Sequence, residues 1–300
     1  MAVSAGRRMI TSTLEVRQRL ADRDLPDRLG GLGLRPDDAA DLHRAAAAAL
    51  DRPEDLETLA TVADRIVTRL GDFTAGGHPA VWWGLPLDAE GVLPLLALLV
   101  TAPEVADWHA RRGIPAEVSA AALSDLGQQA WVHRLAFGTF GLHTHDWLTI
   151  AWSGALYWLG RLQFNLQPED DGWVLSTHIP RTGPLTPESV DHAFAAASDF
   201  FATYFPEYPV RAFVCASWLL DPALTAALPS SNLAAFQRRW QLTGQRQSGE
   251  ADVLFFVFNR PDPTEFESLP ADTALRRAIR DQLVSGLGWS TVTGRIPRDH

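Results

Sequence analysis

The sequence predicts a two-domain protein of the α/β (α+β) class, with a mostly helical first domain over residues 1–146 and a second domain of strands and helices over residues 147–300. A chain of 300 residues is longer than one hydrophobic core usually holds. Apolar residues in the first half recur every three or four positions, which is typical of helices. Beyond Trp147 the pattern changes to short apolar or alternating segments, which are typical of strands.

Helical periodicity is clearest in the first third of the chain. Apolar residues over Glu54–Leu70 follow one helical face, and an alanine-rich helix is expected before them over His43–Leu50. A third helix is expected to begin at Pro115, because proline is favoured at the first helical position. This helix or a successor carries Leu123, Leu126, Ala130 and His133 and ends near Gly138. The first domain is therefore predicted to be mostly helical.

The second domain is predicted to begin with strands. Strand-like segments span Leu148–Ala151, Leu156–Leu166 and Trp173–Ile179, and a turn at Pro168–Gly172 separates the last two. These segments predict an antiparallel meander.

A helix is expected to begin at Pro187, because Thr186 is a good cap and an acid follows the proline. Later elements are expected in this order: strand Ala212–Leu219, helix Asn232–Trp240, buried strand Val253–Phe258, helix Ala274–Val284 and a short end segment Trp289–Ile296.

Charge and composition exclude several classes of function. The chain has 36 acidic and 26 basic residues, a formal charge of -10, so a broad nucleic-acid-binding surface is not expected. It contains no lysine, which excludes Schiff-base catalysis by a lysine amine. With 46% hydrophobic and 21% charged residues, it has the composition of a folded, soluble protein.

The single cysteine, Cys215, excludes an intrachain disulfide framework and favours a cytoplasmic location. It lies in an apolar strand, where a cysteine usually serves as a small buried hydrophobe. The longest apolar run, Val92–Val100, is too short to cross a bilayer, so no membrane association is expected. His143 and His145 could chelate a metal, but no distant third ligand is evident, so no metal site is predicted.

The segment from His178 to Thr186 joins a predicted strand to a helix N-terminus. Unpaired N–H groups and the helix dipole favour an anion such as phosphate at this position. Gly183 would allow the backbone to approach the anion closely, and Arg181 could add a charge-assisted contact.

Polar side chains on the neighbouring strands are candidates for chemistry. Strand alternation places Arg161, Gln163 and Asn165 on one polar face, and Cys215 with Ser217 on another shared face. If these faces line one cleft with His178, that histidine is the best candidate for a general base. Alternatively, His178 bonds a backbone carbonyl at the end of its strand, and the two amides lie on a solvated face.

Several segments of the second half resemble the GNAT-like C-terminal domain of bacterial acyltransferases. They are Leu159–Phe164, His178–Pro180, Gly183–Leu185, Ser217–Pro222 and Ser231–Asn232. Upstream segments resemble the N-terminal acyltransferase domain of the same family: Gly113–Pro115, Ser124–Leu126 and Phe137–Leu142. The resemblance covers nearly the whole chain and implies a mixed-sheet fold for the second domain.

The resemblance also implies a set of binding residues. The loop residues Arg181, Thr182, Gly183, Leu185 and Thr186 would hold the phosphates of an acyl-CoA or of another phosphopantetheine thioester. By the same resemblance, Asn232 and Phe236 would line the pantetheine arm. Candidates for contact with substrate are Gln163 and Asn165, from strand alternation, and Ser217 and Trp218, from the family-like motif. The chain departs from the superfamily pattern at Pro184, which lacks an N–H, and in having no clear counterpart of the tyrosine general acid.

The expected function is transfer of an acyl group from acyl-CoA or an acyl carrier protein to a small-molecule amine, without a covalent enzyme intermediate. Two alternatives remain open. One is transfer from an aminoacyl-tRNA, against which the acidic charge argues. The other is a non-catalytic thioester-binding or scaffold protein, which the missing tyrosine favours.

Overall fold

A computed structural model describes residues 12–74, 82–84, 87–170, 172–261 and 265–298. The chain forms two compact units, Met1–Tyr157 and Trp158–His300. The sequence placed the boundary at 146/147, where helical periodicity ends. The chain instead remains helical over His145–Trp152, so the predicted strand Leu148–Ala151 is wrong. A short, mostly apolar segment suits a buried helix as well as a strand, and periodicity alone does not distinguish them.

The described part of the first unit is helical up to Trp152. Its helices are α1 (Thr13–Leu20), α2 (Leu25–Gly31), α3 (Pro36–Leu50), α4 (Pro53–Thr68), α5 (Val92–Arg111), α6 (Ala116–Leu123), α7 (Asp125–Phe137) and α8 (His145–Trp152). The predicted periodic helix corresponds to α4, which buries Leu56, Leu59 and Ile66. Gly138 ends α7 in a left-handed conformation, as expected of a C-terminal glycine.

Helix α5 has 20 residues and is rich in apolar side chains. It is the one described helix whose length and composition would allow it to cross a membrane, but most of it is buried within the protein. Pro94 lies in its first turn, where a missing N–H costs no hydrogen bond, and every residue from Leu95 to Val100 is buried. This burial is typical of the core helix of a globular unit.

The second unit contains a six-stranded sheet. Its strands are β1 (Leu156–Leu159), β2 (Leu162–Glu169), β3 (Gly172–His178), β4 (Val210–Ser217), β5 (Gln241–Ser248) and β6 (Ser290–Pro297), in the order β1-β2-β3-β4-β6-β5. The pair β3–β4 is parallel, while β2–β3, β4–β6 and β5–β6 are antiparallel. The expected mixed sheet is confirmed. Strand β5 was not predicted, because all its residues are exposed and it lacks an apolar face.

The helices of the second unit are α9 (Pro187–Tyr204), α10 (Pro222–Ala227), α11 (Asn232–Gln237), α12 (Glu250–Phe258) and α13 (Ala274–Val284). The predicted strand Val253–Phe258 is wrong, because this segment forms most of α12. Buried residues at Val253, Leu254 and Val257 follow helical spacing, whereas Phe256 is 46% exposed. An apolar run of this length fits either structure until its packing partners are known.

Helix α9 covers one face of the sheet. Its Phe194 packs edge-on against Phe164 of β2 and Phe213 of β4, with ring centroids 5.6 and 4.7 Å away. Trp240, which follows α11, packs on the same ring. This aromatic cluster fixes α9, and with it the loop that leads into the helix, against strands β2 and β4.

Candidate active site

The parallel strands β3 and β4 stop pairing before either strand ends. Their register ends at the pair Ser176 and Val214, although β3 continues to His178 and β4 to Ser217. Backbone N–H and C=O groups beyond the last pair are not used by the β3–β4 ladder. Such groups can bind an extended ligand that enters between the strand ends.

His178 and Asn165 meet on one face of the sheet. The β2–β3 register pairs Gln163 with His178, and Asn165 with Ser176, so these side chains share a face. The His178 Nε2 atom lies 2.6 Å from Asn165 Oδ1, and Asn165 Nδ2 donates to the Leu166 carbonyl at 3.0 Å. The amide oxygen therefore faces the ring, so Nε2 carries the proton and the neutral ring keeps its lone pair on Nδ1.

Burial lowers the pKa of His178 to about 3. The cause is desolvation, which disfavours the imidazolium. His178 is therefore neutral near pH 7, and the same desolvation makes it a weaker base than an ordinary histidine. Gln163 and Asn165 are 3% and 6% exposed, so the alternative that they lie on a solvated face is wrong. The partner of His178 Nε2 is the Asn165 amide oxygen, a contact that the sequence did not indicate.

Cys215 and Ser217 lie on the opposite face from His178. The pairing of Ser176 with Val214 puts both cysteine and serine on the side of Phe213. The hypothesis that they line one cleft with His178 is therefore wrong. Burial raises the pKa of the Cys215 thiol to about 12. The Ser217 hydroxyl accepts a hydrogen bond from the Leu219 N–H at 3.1 Å, so both side chains serve the fold. Sequence alternation within one strand could not reveal the register between strands.

The donor loop, defined here as Arg181–Thr186, joins the end of β3 to α9. Thr186 caps the helix by accepting from the Ser189 N–H at 3.2 Å, as expected. Gly183 has a φ of 118°, a conformation that side-chain-bearing residues rarely adopt. The Leu185 side chain is 4% exposed, so only its backbone can face a ligand, whereas Thr182 is exposed.

The Arg181 side chain has a protein partner that the sequence did not indicate. Its Nη1 atom donates to Asn259 Oδ1 at 2.5 Å. Asn259 ends α12 in the left-handed conformation, with a φ of 55°. Burial and the positive charge of Arg276 lower the pKa of Arg181. Because Val253–Phe258 was predicted as a strand, no residue near Asn259 was expected beside the loop.

Arg161 was also missed as a contributor to this region. Its guanidinium donates to three carbonyls of the segment before α9: Pro180 at 2.9 Å, Gly183 at 2.7 Å and Pro184 at 3.1 Å. Arg161 follows Gly160 in the turn between β1 and β2. The sequence showed it as one polar residue of a strand face, and nothing in local periodicity indicates a contact across about twenty residues.

Helix α11 lies beside the beginning of α9. Arg239, just after α11, donates to the Pro187 carbonyl at 3.2 Å and pairs with Asp191. Of the two residues expected to line the pantetheine arm, Asn232 is exposed and Phe236 is 1% exposed. Phe236 packs against Trp240, so its side chain belongs to the core. The other predicted substrate residue, Trp218, is half-buried, and its carbonyl accepts from Trp289 Nε1 at 2.9 Å.

The three tyrosines do not supply an acid at the carboxyl end of β3. Tyr157 is fully buried and donates its hydroxyl to the Gly154 carbonyl at 2.8 Å. Tyr208 packs against Trp173 at the other end of β3, and Tyr204 lies in the last turn of α9. The departure noted from the sequence therefore persists in the structure.

The described residues include no group of three or more His, Cys, Asp or Glu side chains that could hold a metal ion. His143 and His145 have other neighbours within the first unit. The backbone N–H of His143 donates to His133 Nδ1 at 3.1 Å, and His145 Nδ1 lies 2.9 Å from Asp146 Oδ1.

Comparisons with known proteins agree with this architecture. Residues 23–154 match the N-acyltransferase N-terminal domain, and residues 156–296 match the GNAT-like C-terminal domain. The family boundary therefore falls close to the division at Tyr157. A search of curated proteins found no match.

Several solved structures are similar over most of their length. An acyltransferase in complex with decanoyl-CoA and teicoplanin is 31% identical, with a TM-score of 0.80, over 90% of this chain and 86% of that one. An acyltransferase mutant in complex with octanoyl-CoA is 30% identical, with a TM-score of 0.81, over 91% and 87%. An acyltransferase in complex with CoA and 10C-teicoplanin is 30% identical, with a TM-score of 0.81, over 92% and 88%.

Both domain matches and the shared fold lead to one assignment. The chain belongs to the family of two-domain acyltransferases that combine an N-acyltransferase N-terminal domain with a GNAT-like C-terminal domain, and it is an acyl-transferring enzyme of the GNAT type.

Proposed function

We propose that this enzyme transfers a medium-chain acyl group from acyl-CoA to the amine of a small-molecule acceptor. The observation that carries the proposal is the position of the His178–Asn165 pair. It lies at the end of β3, where pairing with β4 stops and the chain enters the donor loop. Similar enzymes bound to octanoyl-CoA and decanoyl-CoA support CoA as the donor carrier and an acyl chain of this length.

The donor would bind through backbone groups. In the first turn of α9, Pro187 has no N–H and the Ser189 N–H is already bonded to Thr186, which leaves Glu188 as the first-turn donor. Loop N–H groups and the helix dipole add to it at the pyrophosphate. The pantetheine arm would then extend between the ends of β3 and β4, beyond the pair Ser176 and Val214.

The chemistry needs one proton acceptor. The neutral amine attacks the thioester carbonyl, forming a C–N bond and a tetrahedral oxyanion that a backbone N–H beyond the β3–β4 ladder can stabilise. The amine proton passes to His178 Nδ1, directly or through water, because Nε2 is committed to Asn165. The C–S bond then breaks as the carbonyl re-forms, and CoA leaves.

Departure of CoA does not require a tyrosine acid. A thiol has a pKa of about 8.5, so the thiolate is an adequate leaving group near neutral pH. The absence of a tyrosine at the carboxyl end of β3 is therefore compatible with turnover. It also weakens the alternative of a non-catalytic scaffold, which rested on that missing residue.

Free acyl-CoA is preferred here over the other donors considered. The similar enzymes are bound to octanoyl-CoA, decanoyl-CoA or CoA. A formal charge of -10 disfavours the extended phosphate backbone of a tRNA. Teicoplanin is a suitable first acceptor probe, because one similar enzyme is bound to it.

The proposal is tested by calorimetry and by turnover. Wild-type protein is titrated with CoA, octanoyl-CoA and decanoyl-CoA, and then assayed with teicoplanin and simpler primary amines for release of the CoA thiol. Micromolar binding and an acylated product seen by mass spectrometry are expected. If no CoA compound binds, the proposal is wrong, and acyl carrier protein and aminoacyl-tRNA become the donors to test. Binding with hydrolysis alone would contradict the amine acceptor.

A further inference from the structure

Arg161 reaches from a turn of the sheet to the segment that precedes α9. Its Nε, Nη1 and Nη2 atoms each donate to a different carbonyl, those of Pro184, Pro180 and Gly183. The guanidinium therefore spans the loop on one side. A planar fork of N–H donors can make three such contacts at once, whereas a lysine ammonium is a compact point charge that lacks this geometry.

These contacts determine which way the loop peptides face. The peptide bonds of the loop are trans, so each carbonyl points opposite to the N–H of the next residue. The carbonyls of Pro180 and Pro184 face Arg161. The N–H groups of the residues that follow them, Arg181 and Leu185, therefore point away from Arg161. The Pro180 carbonyl also accepts from the Thr182 N–H at 2.9 Å, which further fixes that peptide.

Pro184 fits the same arrangement. The peptide that joins Gly183 to Pro184 has no N–H, and its carbonyl is the closest of the three to Arg161, at 2.7 Å. This peptide therefore contributes only to the side of the loop that Arg161 holds. Of the three peptides held through their carbonyls, only the two whose N–H groups belong to Arg181 and Leu185 can therefore present a donor on the opposite side.

Arg161 is itself held in place by its neighbours. Gly160, with a φ of 70°, lets the β1–β2 turn approach α9 so closely that an added Cβ would lie 3.4 Å from His192 and 3.6 Å from Ala193. On the other side, Leu162 begins β2 and is fully buried. The turn is thus fixed against the first half of α9, the helix that the donor loop enters.

We propose that Arg161 is a positioning residue, which holds the donor loop by its carbonyls so that the N–H groups of Arg181 and Leu185 face the pyrophosphate of the acyl donor. This inference rests on the proposed function and goes beyond it, because it assigns a role in donor affinity to a side chain outside the loop. Arg161 acts through the loop backbone and does not itself contact the donor.

The test compares CoA with pantetheine, a fragment that lacks the pyrophosphate. In Arg161→Met the Kd for CoA and the KM for octanoyl-CoA should rise about 10- to 100-fold, as expected for the loss of one or two oriented donors to a charged group. The Kd for pantetheine and the kcat at saturating donor should change little. Arg161→Lys, which keeps the charge without the fork, should recover less than half of the loss.

Arg280→Met is the matched control, since it removes the same charge from the same unit at a side chain that contacts Asp281 in its own helix. It should leave CoA affinity unchanged. Full recovery in Arg161→Lys, or an equal loss in Arg280→Met, would overturn the positioning role in favour of simple charge attraction. An equal loss for pantetheine would overturn it in favour of a general structural role.

A second measurement needs no variant. In wild-type protein, saturating CoA should slow amide hydrogen exchange at Arg181 and Leu185, and absence of protection at both would overturn the inference. Failure of wild type to bind CoA at all would instead refute the proposed function. If wild-type protein binds CoA and Arg161→Met binds it with the same affinity, only the inference is refuted.

Discussion

Asn165 decides which nitrogen of His178 can act as a base. Its amide oxygen accepts from Nε2 at 2.6 Å, and the amide itself is held by the Leu166 carbonyl. The base and its orienting group thus lie on adjacent strands, with the lone pair directed from Nδ1. At this scale the catalytic hypothesis depends on two hydrogen bonds and on burial of the ring.

Replacing His178 should separate catalysis from donor binding. In His178→Gln we expect kcat to fall about 100- to 10,000-fold, the usual contribution of a general base, while the Kd for CoA stays within about twofold. Steady-state assays with teicoplanin and calorimetry with CoA provide the two measurements. His192→Gln, at an exposed position of α9, is the control. A His178→Gln enzyme with normal kcat would show that another group accepts the proton.

The pH dependence of the reaction follows from the lowered pKa of His178. Burial brings that pKa to about 3, so the ring stays neutral and able to accept a proton from pH 8 down to about pH 4. Once the rate is corrected for protonation of the acceptor amine, kcat/KM should be flat between pH 8 and pH 5. An acid limb near pH 6.5 would contradict burial of the ring, because it would report an ordinary histidine.

At the scale of elements, the donor loop is defined by what holds it on each side. Arg161 binds its carbonyls, Asn259 binds the Arg181 side chain, and Thr186 caps the helix that follows. Helix α12 and the β1–β2 turn therefore both contribute to a loop that is distant from them in sequence. Gly183 is the position in this loop where the backbone conformation most restricts which residue can be present.

A side chain at Gly183 should weaken donor binding through the backbone. Open space surrounds the position of an added Cβ, but a φ of 118° strains any L-residue, so Gly183→Ala should shift the loop. We expect the Kd for CoA to rise about tenfold or more, since backbone strain of this kind costs on the order of 1 kcal/mol or more.

Gly286→Ala is the matched control for that variant. Gly286 also has a positive φ, of 78°, and open space, but it follows α13. It should lower the melting temperature by a few degrees without changing CoA affinity. If both variants weaken CoA binding equally, the effect comes from global stability and not from the donor loop.

At the scale of the whole molecule, an acidic protein has to bind a donor that is itself an anion. The formal charge of -10 opposes CoA at long range. Local groups must therefore provide the attraction. They are the loop N–H groups, which Arg161 holds in place, and the cationic side chains of Arg181 and Arg276. Each of the two units nevertheless has its own buried core.

The stability of the protein should fall as the pH is lowered below about 6.5. Burial lowers the pKa of His109 to about 4, and its side chain is fully buried in the first unit with Nδ1 2.8 Å from the Ser119 hydroxyl. Between pH 6.5 and pH 4 the unfolded chain binds more protons than the folded one. The contribution of the neutral histidine is therefore complete above pH 6.5 and is lost toward pH 4.

Urea denaturation at pH 7, 6 and 5 measures this dependence. Each pH unit below 6.5 should cost about 1.4 kcal/mol of unfolding free energy per fully buried histidine. His143 and His178, whose pKa values are lowered to about 4 and about 3, should add to the slope. His109→Gln should reduce it, and an unchanged slope in that variant would show that His109 does not titrate as a buried group.

The sequence alone predicted the features that depend on neighbouring residues. Helix α4 follows from its apolar period, the start of α9 from Thr186 and Pro187, and the end of α7 from Gly138. The donor-loop segment was also evident from local motifs, and the family resemblance that such motifs carry implied the mixed sheet. Each of these signals lies within one turn or one strand, so no knowledge of the fold was needed.

Only the tertiary structure decided the features that depend on strand register and on distant packing. The segment Val253–Phe258 forms a helix whose buried side chains recur at helical spacing. The apolar composition of the segment does not specify whether it packs as a helix or as a strand. Ser217 faces away from His178 because of the β3–β4 register, which alternation within a strand cannot give. Arg161 and Asn259 reach the donor loop from other elements, and such contacts exist only once the chain has folded.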